Sequence, residues 1–118
     1  MADLDGLKVI NDRRGHIAGD RAIAAVADAL RHHCPEEALC IRYGGDEMLA
    51  FILGDCDYQE IRDGITRQLE EKSREYGFPI SASFGFHETV LNRDINIDAV
   101  IREADEKMYL DKAAKRRS

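Results

Sequence analysis

Two short acidic clusters carry the side chains best suited to metal chemistry. Asp3-Leu4-Asp5 stands near the start of the chain, and Asp46-Glu47 follows a pair of glycines. Neighbouring carboxylates repel, so such groups are either fully solvated or neutralised by a cation. Hard divalent ions such as Mg²⁺ take carboxylate and carbonyl oxygens and leave room for phosphate oxygens. Asp3 and Asp46 sharing one such ion is one reading, and solvated turn acids are the other. Spacing alone leaves both open.

Basic residues accompany the acids. Lys112 and Arg116 are four apart and share one face if the last helix continues through them. Lys8 adds a cation close to the first acidic cluster. Cations beside an acid-bound metal suit a phosphoanhydride substrate. A solubilising helix end that complements the helix dipole explains Lys112 to Arg117 equally well. The stretch Asn11-Asp12-Arg13-Arg14-Gly15-His16, followed by Gly19-Asp20, holds a third possibility. A carboxylate accepts from the ring N–H and exocyclic amine of guanine, and an amide pairs with the ring acceptors. Asn11 and Asp20 supply those groups, although a turn and a helix start need the same residues.

Other chemistries find no support. The chain has no GxxxxGK[ST] phosphate loop and no GxGxxG dinucleotide fingerprint. His32-His33-Cys34 has no partners at zinc spacing, and Ser81 and Ser83 lack the glycines of a nucleophile elbow. The net charge of −6 argues against general nucleic-acid binding, which depends on clustered cations. No unbroken apolar run exceeds the six residues Met48 to Leu53, so no membrane-spanning segment is expected. No charged-then-apolar leader opens the chain. The three cysteines form no CxxC and fit a reducing compartment. A cytoplasmic location is expected, leaving open a tether through a membrane or sensor domain outside this chain.

The elements that must position these residues can be read from periodicity. Ala18 to Cys34, Asp57 to Tyr76 and Ile97 to Lys112 carry apolar residues at helical spacing. Ala38 to Tyr43, Glu47 to Leu53 and Pro79 to Phe86 read as strands. Gly44-Gly45 between the first two strands predicts a tight hairpin with positive φ at the glycines. The order helix, hairpin, helix, strand, helix predicts an α/β (α+β) domain, an antiparallel or mixed sheet flanked by helices.

Taken together the motifs resemble the GGDEF domain of diguanylate cyclases. The match runs through Asp3-Leu4-Asp5-Gly6-Leu7-Lys8, Asn11-Asp12, Gly15-His16, Gly19-Asp20 and Arg42-Tyr43-Gly44-Gly45-Asp46-Glu47-Met48. It continues through Ser83-Phe84-Gly85, Ala104-Asp105-Glu106-Lys107-Met108-Tyr109 and Lys112. The resemblance implies a ferredoxin-like fold similar to the palm of nucleotide cyclases and polymerases. It implies condensation of two GTP molecules to cyclic di-GMP with release of pyrophosphate, in a facing homodimer, with Mg²⁺ or Mn²⁺. Asp3, the Leu4 carbonyl and Asp46 would hold the metal. Asp46 and Glu47 would activate the attacking hydroxyl, and Lys8 would offset charge on the transferring phosphate. Backbone amides from Gly6 through Leu7 to Lys8, with Lys112 and Arg116, would hold the triphosphate. Gly45 would admit the nucleotide close to the backbone. Asn11 and Asp20 would read guanine, with His16 nearby. An upstream sensory or receiver domain is implied as well.

This chain departs from the family pattern. Met48 replaces the final phenylalanine of the signature. Pro35-Glu36-Glu37-Ala38 lacks the Arg-x-x-Asp of the product-inhibition site, and Lys115 and Arg117 replace a glycine and an asparagine. The leading helix and strand and the closing strand are expected to be absent. Their loss would open sheet edges, leave Asp3 unanchored and make this chain alone a poor catalyst. The competing expectation is a non-catalytic GGDEF-like module that binds GTP or a protein partner as a regulator.

Overall fold

The computed structural model describes residues 1–117, with side chains through Lys115. The elements in chain order are β1 (Ala2–Leu4), α1 (Leu7–Arg14), α2 (His16–His33), β2 (Leu39–Arg42), β3 (Glu47–Phe51), α3 (Tyr58–Tyr76), β4 (Ala82–Phe84) and α4 (Ile97–Arg117). The strands form one antiparallel sheet in the order β2-β3-β1-β4. An α/β sheet flanked by helices is thus present, as the pattern of elements predicts.

Strand alternation divides the sheet chemically. Ala2 pairs with Met48 and Phe84, and Leu4 with Ala82, so these side chains share one face. They join the buried stripe of α2 (Ala22, Ala25, Val26, Ala29, Leu30) and that of α3 (Ile61, Ile65, Leu69) in the main core. Asp3 pairs with Glu47 and Ser83 and therefore points to the other face. There α4 contributes Lys112, whose Nζ lies 2.9 Å from Asp3 Oδ2.

Local chemistry sets the element ends. Asp57 Oδ1 accepts from the amides of Gln59 and Glu60, both at 3.1 Å, and caps α3. Gly77 ends α3 at φ 80°, a left-handed conformation that favours glycine. Ser73 Oγ accepts from Ile80 N at 2.8 Å and so ties the end of α3 to the approach of β4. His32 Nδ1 and His33 Nε2 lie 2.9 and 3.0 Å from Gln68 Oε1, clasping α2 to α3.

Several expectations need correction. Ala2–Leu4 form an inner strand, so Asp3 is anchored on both sides. The strand signal failed because three residues with an aspartate in the middle carry little β-propensity; pairing on both edges supplies what propensity does not. The residues before the bend at Gly15 are helical rather than loop: Leu7–Arg14 is a helix that buries only Ile10, too little to show a period. Gly15, at φ 88°, makes the corner into α2. Neither Gly44 nor Gly45 has a positive φ. The hairpin turns through a longer loop, braced by Arg42, whose Nε and Nη2 donate to the carbonyls of Gly44 (3.2 Å) and Gly45 (2.6 Å). The third predicted strand shortens to Ala82–Phe84 because Ile80 N is committed to Ser73. The last helix runs on to Arg117.

Two glycines sit at close approaches of different kinds. A β-carbon at Gly85 would collide with the Ala104 carbonyl and Met108 amide of α4, whereas one at Gly64 would meet the His33 ring. Backbone cannot step aside and a side chain can. Gly85→Ala is therefore expected to cost about 2 kcal/mol or more, and Gly64→Ala less, in urea unfolding. Equal small losses would contradict the tight α4–β4 contact.

Candidate active site

The centre of the site is Asp3, 7 % exposed in the inner strand β1. Its Oδ2 accepts from Lys112, while its buried Oδ1 has no hydrogen-bond partner among the described residues. The Asp46 carboxylate is near enough for its charge to act on Asp3. The backbones lock that neighbourhood, since Leu4 N donates to the Asp46 carbonyl at 3.0 Å. Burial first, and then the Asp46 charge, push the Asp3 carboxyl up to about 6, against the opposing pull of Lys112. Burial also raises Glu47, with Asp105 and Asp46 adding to the rise and Lys112 opposing it. The two predicted acids thus converge, and Glu47 and Lys112 join them.

Asp5 belongs to a different arrangement. Ser81 Oγ and Ser83 Oγ donate to its two oxygens at 2.8 and 2.7 Å, and Lys115 Nζ lies 3.1 Å from Oδ2. Burial would raise this carboxyl, but the serines and Lys115 outweigh it and hold it below its usual range. Two acids two apart, Asp3 in β1 and Asp5 just after it, therefore face two lysines three apart on a helix. That double spacing is visible in the sequence and is the signal that would have found Lys115.

The remaining residues lie around this centre. Gly6 precedes α1 at φ 66° with no side-chain cap, and the first helical amide bond runs from Ile10 N to Gly6 O at 3.1 Å. The amides of Leu7 and Lys8 thus stay outside the helix ladder, available to an anion. Lys8 and His16 are exposed, as is Gly45. Asn11 packs over Gly19, where a β-carbon would overlap its side-chain oxygen. Asp20 lines a cavity of about 490 Å³ between α2 and the hairpin, together with Ile23, Arg42 and Met48. The side chain of Arg116 lies outside the described residues.

The donor set fits a hard divalent cation. Asp3 offers a buried oxygen with no partner, Asp46 lies beside it, and both are oxygen ligands. Among the described residues no group of three or more His, Cys, Asp or Glu forms a closed metal cage. Mg²⁺ needs none: it binds through one or two carboxylates and completes its shell with water and phosphate. No helix of the described residues is long and apolar enough to cross a membrane.

The fold is a four-stranded antiparallel sheet flanked by helices, with Asp3 and Asp46 close to the start of α1. Comparison with known proteins identifies the family. The family described as "Diguanylate cyclase, GGDEF domain" matches residues 1–118. The chain is 32% identical over 118 residues to the diguanylate cyclase VdcA of Vibrio cholerae, covering 92% of this chain and 34% of that protein. It is 32% identical over 121 residues to the diguanylate cyclase TpbB of Pseudomonas aeruginosa, covering 98% of this chain and 28% of that protein. The GGDEF domain of DgcB from Caulobacter crescentus, solved in complex with c-di-GMP, superposes with a TM-score of 0.73 at 26% identity. That superposition covers 96% of this chain and 70% of the other. The chain belongs to the GGDEF domain family of diguanylate cyclases. It spans about a third of the length of these two curated relatives.

The raised carboxyl of Asp3 has a measurable consequence. The folded chain holds that proton more tightly than the unfolded chain, whose value is 3.8. Its contribution to stability is full below pH 3.8 and lost as pH rises through about 6. In metal-free buffer, Asp3→Asn should therefore gain on native protein between pH 4 and 7, by on the order of 2 kcal/mol in chemical denaturation. A stability difference that stays constant across that range would contradict the burial of this charge.

Proposed function

We propose that this domain condenses two molecules of GTP to cyclic di-GMP with release of pyrophosphate, acting as a facing homodimer with Mg²⁺ or Mn²⁺. The observation that carries this reading is the buried, unpartnered oxygen of Asp3 beside Asp46. Such a pair is costly unless a cation completes it. Asp3, Asp46 and the Leu4 carbonyl would hold the metal. When bound, the metal stabilises charge on the transferring phosphate and lowers the pKa of the attacking hydroxyl.

The protein's own residues do the rest. Amides from Gly6 to Lys8 orient the triphosphate, with Lys112 and Arg116 as its cationic partners. The Lys8 ammonium offsets charge as the phosphate transfers. Asn11 and Asp20 read the guanine edge beside the α2–hairpin cavity, with His16 close by. Glu47, whose carboxyl is raised by burial and by neighbouring acids, is placed to take the proton of the attacking 3′-hydroxyl together with Asp46. Each domain supplies half of the reaction centre, so two copies must face each other. An upstream sensory or receiver domain controls that pairing in the cytoplasm.

The hairpin glycines fit the same reading. Neither needs a positive φ, and a β-carbon at Gly45 meets nothing within 4 Å. The fold therefore does not demand glycine there, whereas a nucleotide approaching the backbone does. Gly45→Ala should leave the urea midpoint unchanged and cut turnover by about tenfold or more. A variant with normal turnover would remove the nucleotide from the hairpin tip.

Calorimetric GTP titration with and without Mg²⁺, followed by a product assay, tests the whole reading. Native dimer should bind GTP and form cyclic di-GMP, and Asp46→Ala should lower turnover by at least about a thousandfold. Binding without product would leave a regulatory GTP-binding module, and an active Asp46→Ala would refute the metal assignment.

A further inference from the structure

An edge strand presents unpaired N–H and C=O groups along its outer side. Strand β4 is such an edge. Its bonds toward β1 run through Ser81 and Gly85, from Asp5 N to Ser81 O and from Gly85 N to Met1 O, both at 2.9 Å. By the two-residue alternation of an antiparallel ladder, the Phe84 N–H and the Ala82 carbonyl point the other way. Both are taken by side chains one helical turn apart on α4. Asp111 Oδ2 accepts from Phe84 N at 2.8 Å, and Lys115 Nζ donates to the Ala82 carbonyl. An acid and a base at i and i+4 thus stand where a neighbouring strand would bond.

A third element closes the junction. Arg62 of α3 places Nη2 3.0 Å from Asp111 Oδ2 and its guanidinium 5.6 Å from the centre of the Phe84 ring. One half-buried carboxylate therefore ties α3, β4 and α4 together. Lys112, which reaches Asp3, is the next residue. A helix advances about 1.5 Å and turns about 100° per residue, so a slip of α4 by one position would carry Lys112 away from Asp3.

We propose that Asp111 is a positioning residue: it holds α4 in register against the open edge of β4, so that Lys112 reaches the acid pair and, on the reading above, the substrate phosphates. A cavity of about 260 Å³ beside the junction is lined by Arg62, Glu70, Ser81, Asp111 and Lys115. It gives water access to Phe84 N–H when the carboxylate is removed, so Asp111→Ala can fold. Asp111→Asn keeps an acceptor for that N–H and loses only the ion pair with Arg62.

The test combines amide hydrogen exchange with GTP calorimetry and steady-state kinetics in the presence of Mg²⁺. Asp111→Ala should exchange about tenfold faster at Phe84 and at residues 112 to 115, with α2 unchanged. GTP affinity should fall about tenfold, and KM should rise with a smaller effect on kcat. Asp111→Asn should recover most of both. Unchanged exchange at Phe84 and α4 in Asp111→Ala would overturn the proposal, and so would unchanged GTP affinity with the junction open. Faster exchange spread through α2 and α3 would also overturn it, because the role would then be general stability. Native protein that binds no GTP marks a separate failure, that of the assigned substrate. Delivery of Lys112 to phosphate would fall with it, while exchange would still decide whether Asp111 anchors α4.

Discussion

The cost of burying Asp3 next to Asp46 is the constraint around which the rest of the molecule is arranged. A carboxylate in a low-dielectric environment is destabilised by lost hydration, and a neighbouring carboxylate adds repulsion. Among the described residues, Asp3 has Lys112 as a compensating partner at one oxygen and none at the other. A well-packed apolar residue would be cheaper in its place. On the proposed reading, a divalent cation shared by the two carboxylates would offset that penalty.

The topology accommodates the buried acid. Asp3 is buried on the inner strand β1, between β3 and β4. Asp46 reaches it only if the hairpin tip lies against the end of β1, which the Leu4–Asp46 backbone bond secures. Strand alternation sends Ala2 and Leu4 into the core and Asp3 to the face under α4. The lysines of α4 then meet the acids of β1 as two parallel pairs, Lys112 with Asp3 and Lys115 with Asp5. The first is held by one hydrogen-bonding contact and leaves an acid oxygen free. The second is fully committed, with two serines donating to the same carboxylate. Two chemically identical pairs thus differ in readiness to bind, because their surroundings differ.

How much of this the sequence disclosed depends on the physical signal each part carries. The long helices announce themselves, because Ile61, Ile65 and Leu69, or Ala22, Val26 and Leu30, bury at helical spacing. Strand β1 and helix α1 were hidden because three residues around an aspartate, and eight residues with one buried side chain, have no period to read. The glycine pair was misjudged because a Gly-Gly sequence permits positive φ without requiring it, and Arg42 supplies another way to stabilise the turn. Asp3, Asp46, Glu47 and Lys112 were named from motif and are brought together. The division of labour between Asp3 and Asp5 could not be read, since it rests on hydroxyls 76 and 78 residues away. Asp111 was missed for a similar reason: its partners are a backbone amide and an arginine on two other elements.

The central claim is that Asp3 and Asp46 hold one cation between them. Titration of metal-free protein with Mn²⁺ in the presence of a non-hydrolysable GTP analogue, followed by paramagnetic broadening of backbone amides, tests it directly. Broadening should centre on Leu4 and Asp46 together, and either Asp3→Asn or Asp46→Asn should abolish it. Broadening confined to one of the two segments, or surviving either substitution, would contradict the account.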